Sequence, residues 1–316
     1  MVNEAGRGVD ARGWIEREGS LGRVQPAYAE LVATARARTA EAYGRRLHSA
    51  YLYGSVPRGT ARPGRSDLDV LLALHAPPTE EDRQTAEALA RGLDEDFAVV
   101  DGVGLLLYGK DRLLSEQERY DLGWFVACLC TPLLGADLAE HLPRYRPDSV
   151  LARETNGDLA EVLPRWRERT AAVAGGARGG AGAGGVAGGG AGGGADVGGA
   201  GADVVPDPGA VRRLRRAWAR KLVRTAFTLV MPRWGGWTSD LERSAEIFGR
   251  YYPERSAQVR GAAADAQAPG SDPAVLRVYA EDLGPWLEAE YTRVHGRKGA
   301  SAGGGEGEGE GLIVSA

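Results

Sequence analysis

The sequence has few of the residues that mark a disulfide-stabilised or transition-metal protein. It contains two cysteines, Cys128 and Cys130, in one apolar segment, and four histidines without ligand spacing. Two cysteines one residue apart provide neither a disulfide framework nor a zinc site, so we expect buried thiols in a reducing compartment. The sequence also lacks a P-loop motif and the Asp-rich spacing of an EF-hand, which excludes two common classes of phosphate and calcium site.

The chain also lacks a strong excess of charge and a long apolar run. Its formal net charge is −4, which gives no general attraction for nucleic acid, so nucleic acid is not an expected partner. The longest apolar run, Leu122 to Leu134, is too short to span a bilayer. The first twenty residues are polar and lack the apolar core of a secretory signal. We therefore expect a cytoplasmic protein without a membrane partner.

Length and composition predict two domains separated by segments of low complexity. The chain has 316 residues and is 43% apolar, which is sufficient for two hydrophobic cores. Ordering a Gly-rich segment costs much backbone entropy, and such a segment has little to bury in return. We expect a flexible arm over 1–21, a first domain over 22–118, a helical domain over 119–170 and 205–296, a disordered Gly/Ala loop over 171–204, and a disordered tail over 297–316.

The stretch from Tyr51 to Leu72, YLYGSVPRGTARPGRSDLDVLL, carries the most informative chemistry. Two apolar runs flank a Gly54-Ser55 turn, a basic loop, and an Asp-Leu-Asp sequence. Alternate residues of a strand point to the same face, so Asp67 and Asp69 would share one face. Two such carboxylates can bind Mg²⁺ together with the phosphates of a nucleoside triphosphate.

The turn and the loop supply groups suited to phosphate. Gly54 permits a tight turn that brings backbone N–H groups close to a polyanion, and Ser55 adds a hydroxyl donor. Arg58 offers a guanidinium that can pair with phosphate oxygens. Each feature alone is common in structural positions, as a plain turn or a solvated strand edge. Their combination at the ends of two apolar runs favours a binding site.

The flanking pattern predicts further strands and helices. We expect a helix over 26–46, a strand over 49–53, a helix that begins after the N-cap Thr79, and a strand over 97–108. Asp101 lies inside this last run, and a lone carboxylate there is costly to bury without a partner. It is either a third site carboxylate or a strand-end carboxylate in water.

The second half of the chain has helical periodicity. The segment 120–134 is apolar on all sides, which predicts a central helix of the helical domain. In 211–230 an apolar stripe lies opposite a row of arginines, and Lys221 falls beside the stripe. Lys221 either extends along the core edge or points toward an anionic group in a cleft. Ser239 with Glu242 predicts a capping box at the start of another helix.

Gly54-Ser55, the spacer and Asp67-Leu68-Asp69-Val70 resemble the signature of the DNA polymerase β-like nucleotidyltransferase superfamily. The sequence over 131–138 and the Trp-Thr to Tyr-Pro-Glu arrangement over 237–254 resemble bacterial aminoglycoside adenylyltransferase-like proteins. With gaps at the Gly-rich segments, the resemblance extends from about Ala27 to His295.

The resemblance implies an α+β fold, in which a mixed sheet with helices precedes a C-terminal helical bundle. It implies Mg²⁺-dependent transfer of a nucleoside monophosphate, in the first instance AMP from ATP, to a hydroxyl of a small molecule such as an aminoglycoside, with release of pyrophosphate. Asp67, Asp69 and Asp101 are the expected metal-binding and catalytic carboxylates, with Asp101 as base or third ligand. The expected nucleotide-binding residues are Gly54, Ser55, Arg58, Ser66 and Lys221.

Two other functions stay open at this point. One is nucleotidyl modification of a protein partner, as in the small antitoxin nucleotidyltransferases that resemble the motif. The other is a nucleotide-binding regulator without turnover. A helical domain in the same chain favours the small-molecule acceptor over the antitoxin pattern, and the three carboxylates disfavour the regulator.

Overall fold

The computed structural model describes residues 6–174, 207–298 and 314–315. The predicted Gly/Ala loop therefore lies almost entirely outside the described residues, as does most of the predicted tail. The chain forms two compact units. The first comprises Met1–Thr155, Met231–Thr238 and Lys298–Ala316, and the second comprises Asn156–Val230 and Ser239–Arg297.

The first unit is built on a mixed β-sheet, which confirms the predicted fold class. Its strands are β1 (Leu47–Tyr53), β2 (Leu68–Leu74), β3 (Val103–Gly109), β4 (Thr131–Gly135) and β5 (Val314–Ser315). Their spatial order is β4-β1-β2-β3-β5. The β2–β3 pair is parallel, and the other pairs are antiparallel.

Helices precede, connect and follow these strands. They are α1 (Ala29–Tyr43), α2 (Ser55–Arg58), α3 (Glu80–Asp96), α4 (Lys110–Leu113), α5 (Trp124–Leu129) and α6 (Ser149–Asn156). The predicted N-cap of α3 is confirmed, because the Thr79 hydroxyl accepts from the Asp82 N–H while the Asp82 carboxylate accepts from the Thr79 N–H at 2.8 Å. This reciprocal capping satisfies two N–H groups that the first turn leaves without helical partners.

Both faces of the sheet are covered by apolar side chains. Leu68 and Val70 belong to the larger cluster, which includes apolar residues of α1 and α3. Leu71 belongs to a smaller cluster on the opposite face, together with Val126 of α5. Because strand side chains alternate, Asp69 lies on the same face as Leu71, at the end where β2 begins. The alternation thus places the carboxylate on the face with the smaller cluster.

The strand predicted over 97–108 is shorter than expected. Residues 97–102 form a turn and bend after α3, and β3 begins only at Val103. The ladder with β2 starts at the pair Leu68–Val103, and Asp101 and Gly102, which have low strand propensity, precede it. Asp101 is therefore an exposed residue in a bend instead of a member of the strand.

The predicted helix over 120–134 is wrong in its second half. Helix α5 ends at Leu129, and Thr131–Gly135 forms β4, which pairs with β1. Pro132 lacks the N–H that a helix interior requires, and it biases the preceding Thr131 toward extended backbone. An edge strand tolerates the proline, so the segment completes the sheet. The first unit consequently extends to Thr155, beyond the boundary predicted at 118.

The N-terminal segment differs from the predicted flexible arm, since its described residues are bonded to the rest of the first unit. Arg17 makes a two-point ion pair with Asp137, with N–O distances of 2.8 and 3.2 Å. The Ile15 N–H donates to the Tyr145 carbonyl at 2.9 Å. These contacts make residues 6–21 part of the first unit. We call residues 6–21 the N-terminal arm.

The second unit is helical, as predicted. The helices of this region are α7 (Leu159–Ala174), α8 (Pro208–Trp234), α9 (Leu241–Tyr251), α10 (Ser256–Gln267), α11 (Ala274–Val278) and α12 (Gly284–His295). Trp166 of α7 stacks on Trp218 of α8 with ring centroids 4.6 Å apart. The cap of α9 is Asp240 instead of Ser239, because its carboxylate accepts from the Arg243 N–H at 2.7 Å. Among the described helices, none combines the length and apolarity needed to cross a bilayer.

Candidate active site

The turn between β1 and α2 accepts only glycine at position 54. Gly54 has a φ of +79°, in the region that favours glycine. A Cβ atom added there would also clash with Oδ2 of Asp69. The backbone of the turn therefore lies directly against the second carboxylate of the predicted pair.

The carboxylates of Asp67 and Asp69 lie on the sides of two different neighbouring strands. Asp69 is paired with Tyr53 of β1 on one side and with Gly104 of β3 on the other, and its carboxylate lies over the β1 side. The Oδ1 atom of Asp67 lies on the β3 side, 3.7 Å from where a Cβ of Gly102 would be. Gly102, directly before β3, and Gly104 of β3 are the neighbours of the carboxylates on this side, so neither places a side chain beside them.

Arg58 braces the same turn. Its Nε donates to the Gly54 carbonyl at 2.8 Å, and its Nη1 lies 3.6 Å from Oε2 of Glu18 on the N-terminal arm. The guanidinium thus stabilises the backbone on which the Asp69 carboxylate rests. Its charge is partly compensated by Glu18.

The two predicted serines lie at either end of the basic loop. The Ser55 carbonyl accepts from the Thr60 N–H at 3.0 Å at the end of α2. The Ser66 hydroxyl accepts from the Arg62 N–H at 2.9 Å, while the Ser66 N–H donates to the Arg62 carbonyl at 3.0 Å. Ser66 therefore closes the loop directly before Asp67.

The structure does not gather the three predicted carboxylates into one metal-binding cluster. The Asp101 N–H donates to the Ser66 carbonyl at 3.2 Å, but its side chain is exposed in the bend before β3. No group of three or more His, Cys, Asp or Glu side chains able to hold a metal occurs within the described part of the chain. The assignment of Asp67, Asp69 and Asp101 as metal ligands therefore stays a prediction, in which Asp67 and Asp69 form the pair within the motif. Two carboxylates fit Mg²⁺ when substrate phosphates complete its coordination.

Comparison with known proteins agrees with this arrangement. Residues 36–117 match the family model described as a nucleotidyltransferase domain, and this range contains the Gly54 turn and both carboxylates. The match assigns a nucleotidyltransferase domain to residues 36–117. The predicted superfamily and enzyme class are confirmed by this match. It covers the sheet from β1 to β3 and the helices α2 to α4.

The comparisons with curated sequences and with solved structures add no functional assignment. No curated protein sequence matches the chain. Among solved structures, the chain is similar to spectinomycin adenyltransferase AAD(9) from Enterococcus faecialis with ATP and spectinomycin, at 13% identity over 84% of this chain and 99% of that chain, with a TM-score of 0.47.

Lys221 is the one predicted site residue that lies outside the nucleotidyltransferase domain. It belongs to α8 in the second unit, where its Nζ is 2.5 Å from Oδ1 of Asp158. The Lys221 side chain is 23% exposed, so the pair lies at the edge of the helical core. Its charge is already matched by a carboxylate in this structure.

Sequence reasoning missed Tyr53, the residue directly before the Gly54 turn. Its ring packs edge-on against Phe125 with centroids 5.0 Å apart. Burial, followed by the nearby Asp69 carboxylate, raises the pKa of Tyr53. Its position could have been recognised from the period of two, because Tyr53 is the last residue of a strand that enters the motif.

The cysteines have no place at this site. Cys128 and Cys130 are both free and buried, as predicted. Burial raises the pKa of the Cys128 thiol to about 12 and that of Cys130 well above its usual value. Both groups therefore remain protonated and inert at neutral pH.

Proposed function

We propose that the protein transfers a nucleoside monophosphate, in the first instance AMP from ATP, to a hydroxyl group of a small molecule such as an aminoglycoside. The observation that carries this proposal is the contact between the Gly54 turn and the Asp69 carboxylate, beside Asp67, inside the matched nucleotidyltransferase domain. This arrangement combines a close-approach backbone turn for phosphate with a pair of carboxylates for a hard cation.

Asp67 and Asp69 would hold Mg²⁺, which when bound neutralises phosphate charge. The Gly54 turn and the hydroxyls of Ser55 and Ser66 would contact the β- and γ-phosphates. Arg58 would add a positive charge beside the leaving pyrophosphate, while its bond to the Gly54 carbonyl keeps the turn in place. Positioning and charge stabilisation of this kind supply most of the catalysis in phosphoryl-group chemistry.

The reaction is an in-line substitution at the α-phosphorus. The acceptor oxygen forms a bond to the α-phosphorus, the bond from that phosphorus to the bridging oxygen of the β-phosphate breaks, and pyrophosphate leaves. Asp101 would accept the proton of the acceptor hydroxyl, directly or through one water. Its exposed position in the bend before β3 is open to an acceptor that approaches from solvent.

Lys221 would take part only by exchanging its present partner. Its ammonium group pairs with Asp158, and a phosphate of the nucleotide would have to replace that carboxylate. We also propose that the reaction takes place in the cytoplasm, because the cytoplasm supplies ATP and Mg²⁺.

A search for the acceptor by mass spectrometry tests the proposal. The protein is incubated with Mg²⁺, each nucleoside triphosphate in turn, and a pool of aminoglycosides or a cell lysate. The expected result is a small molecule heavier by one nucleoside monophosphate. A protein heavier by the same mass would indicate the antitoxin-like modification instead, and nucleotide binding without any adduct would indicate a regulator.

A further inference from the structure

Tyr53 lies beside the Asp69 carboxylate. The two residues are direct partners in the antiparallel ladder between β1 and β2. Directly opposed residues of such a ladder project their side chains to the same face, with Cβ atoms about 5 Å apart. The Tyr53 side chain therefore lies on the face of the sheet that carries the Asp69 carboxylate and the proposed triphosphate site.

The ring of Tyr53 is held by apolar contacts, whereas its hydroxyl makes no described hydrogen bond. Phe125 of α5 contacts the ring edge-on, and the ring packs at the border of the smaller apolar cluster. Tyr53 as a whole is only half-buried. Within residues 6–174 and 207–298 the structure gives its hydroxyl no hydrogen-bond partner. A rigidly held phenol of this kind can donate to solvent or to a ligand.

Tyr51 shows the contrast, two residues earlier on the same strand and the same face. Its hydroxyl accepts from the Leu138 N–H at 2.7 Å and donates to the Ala136 carbonyl at 3.4 Å. Tyr51 is fully buried. The Tyr51 hydroxyl therefore has a structural role, whereas the Tyr53 hydroxyl lacks one in the described part of the molecule.

We propose that the Tyr53 hydroxyl is a catalytic hydrogen-bond donor, which contacts a non-bridging oxygen of the α-phosphoryl group during its transfer. This inference rests on the proposed function. Charge is spread over the equatorial oxygens of the transferring group in the transition state, and a donor held in place beforehand stabilises it. A phenol has an ordinary pKa of about 10, so the hydroxyl is protonated at neutral pH and acts as a donor, not as a base.

The substitution Tyr53→Phe tests this inference, because it removes one oxygen and keeps the ring on Phe125. With ATP, Mg²⁺ and the acceptor found by mass spectrometry, we expect kcat to fall about tenfold. Loss of a single transition-state donor lowers kcat by more than this in a fully enclosed site, and Tyr53 is only half-buried. The Kd for ATP and the melting temperature should stay close to those of the wild type. Tyr51→Phe is the matched control, and it should lower the melting temperature while leaving kcat unchanged, because a buried N–H loses its acceptor.

The outcomes separate the inference from the proposed function. A wild-type kcat in Tyr53→Phe overturns the inference alone. A variant in which ATP affinity and melting temperature fall together with kcat also overturns it, because a structural role would then explain the loss. If the wild type transfers no nucleotide to any acceptor, the proposed function fails and the inference fails with it.

Discussion

Among individual residues, Asp67 and Asp69 bear most directly on the metal assignment. Replacing either by asparagine removes a charged metal ligand, and we expect transfer to fall by roughly 10³-fold. Stability should be unchanged or slightly higher, because the substitution also relieves repulsion between two nearby carboxylates. Transfer rate and thermal denaturation measured on the same preparation check both statements. Glu87→Gln, at an exposed position of α3, is the control, and full activity in Asp67→Asn or Asp69→Asn would show that the metal assignment is wrong.

Gly54→Ala tests the close contact between the turn and the carboxylate. Two effects should lower the unfolding free energy of this variant. Alanine is strained at the positive φ of +79°, and its Cβ would clash with Asp69 Oδ2. The backbone cost alone is about 1–3 kcal/mol of unfolding free energy. Gly64→Ala is the matched control, because Gly64 has a φ of +66° but an added Cβ would meet nothing within 4 Å. Gly54→Ala should be the less stable variant by urea denaturation and should bind ATP more weakly; equal losses in the two variants would count against the contact.

Asp101→Asn distinguishes a base from a carboxylate in water. If Asp101 accepts the acceptor proton, the variant should transfer nucleotide roughly 10²–10⁴ times more slowly while its affinity for ATP is retained. Calorimetric titration with ATP and a single-turnover transfer assay give the two quantities. An unchanged rate would end the assignment and would direct attention to Asp94, Glu95 and Asp96 at the end of α3.

Among the structural elements, the N-terminal arm can be tested for its contribution to stability. Arg17→Met removes both hydrogen bonds to Asp137, and we expect the first unit to lose about 1–2 kcal/mol of unfolding free energy. Arg12→Met, an exposed position on the same arm, should have little effect. Urea denaturation of both variants provides the comparison. Equal stability of Arg17→Met and the wild type would support a mobile arm, as the sequence alone predicted.

The elements that the sequence predicted well depend on short-range signals. The cap at Thr79, the glycine turn at Gly54 and the strand that begins at Leu68 each follow from residues within a few positions of one another. The segment 131–135 did not follow, because an apolar run fits a buried helix and a strand equally well. Pairing with β1, about eighty residues earlier in the chain, decides that this segment forms a strand and not a helix.

In the candidate site, too, the features set by nearby residues were predicted and those set by long-range contacts were not. The paired carboxylates and the turn were predicted because they lie in one local motif. The contact between Glu18 and Arg58, and the position of Tyr53 against Phe125, join segments that are distant in the chain. Asp101 was placed inside a strand because the alternation of apolar residues continues through the turn after α3, whereas the register with β2 begins only at Val103.

At the scale of the whole molecule, the nucleotidyltransferase domain is part of a larger unit. The family match ends at residue 117, but β4 and the N-terminal arm belong to the same unit as the matched sheet. Lys221 lies in the second unit, where its ammonium group pairs with Asp158. The activity is therefore best tested on the whole 316-residue chain and not on residues 36–117 alone.

The most direct test of the central claim follows the two ends of ATP separately. The 316-residue chain is incubated with Mg²⁺ and the acceptor, using ATP labelled either at the α-phosphorus or at the γ-phosphorus. Nucleotidyl transfer predicts that the α-label appears on the acceptor and the γ-label appears in pyrophosphate, with neither product formed by Asp67→Asn. Transfer of the γ-label to the acceptor, or equal labelling by the wild type and Asp67→Asn, would contradict the account.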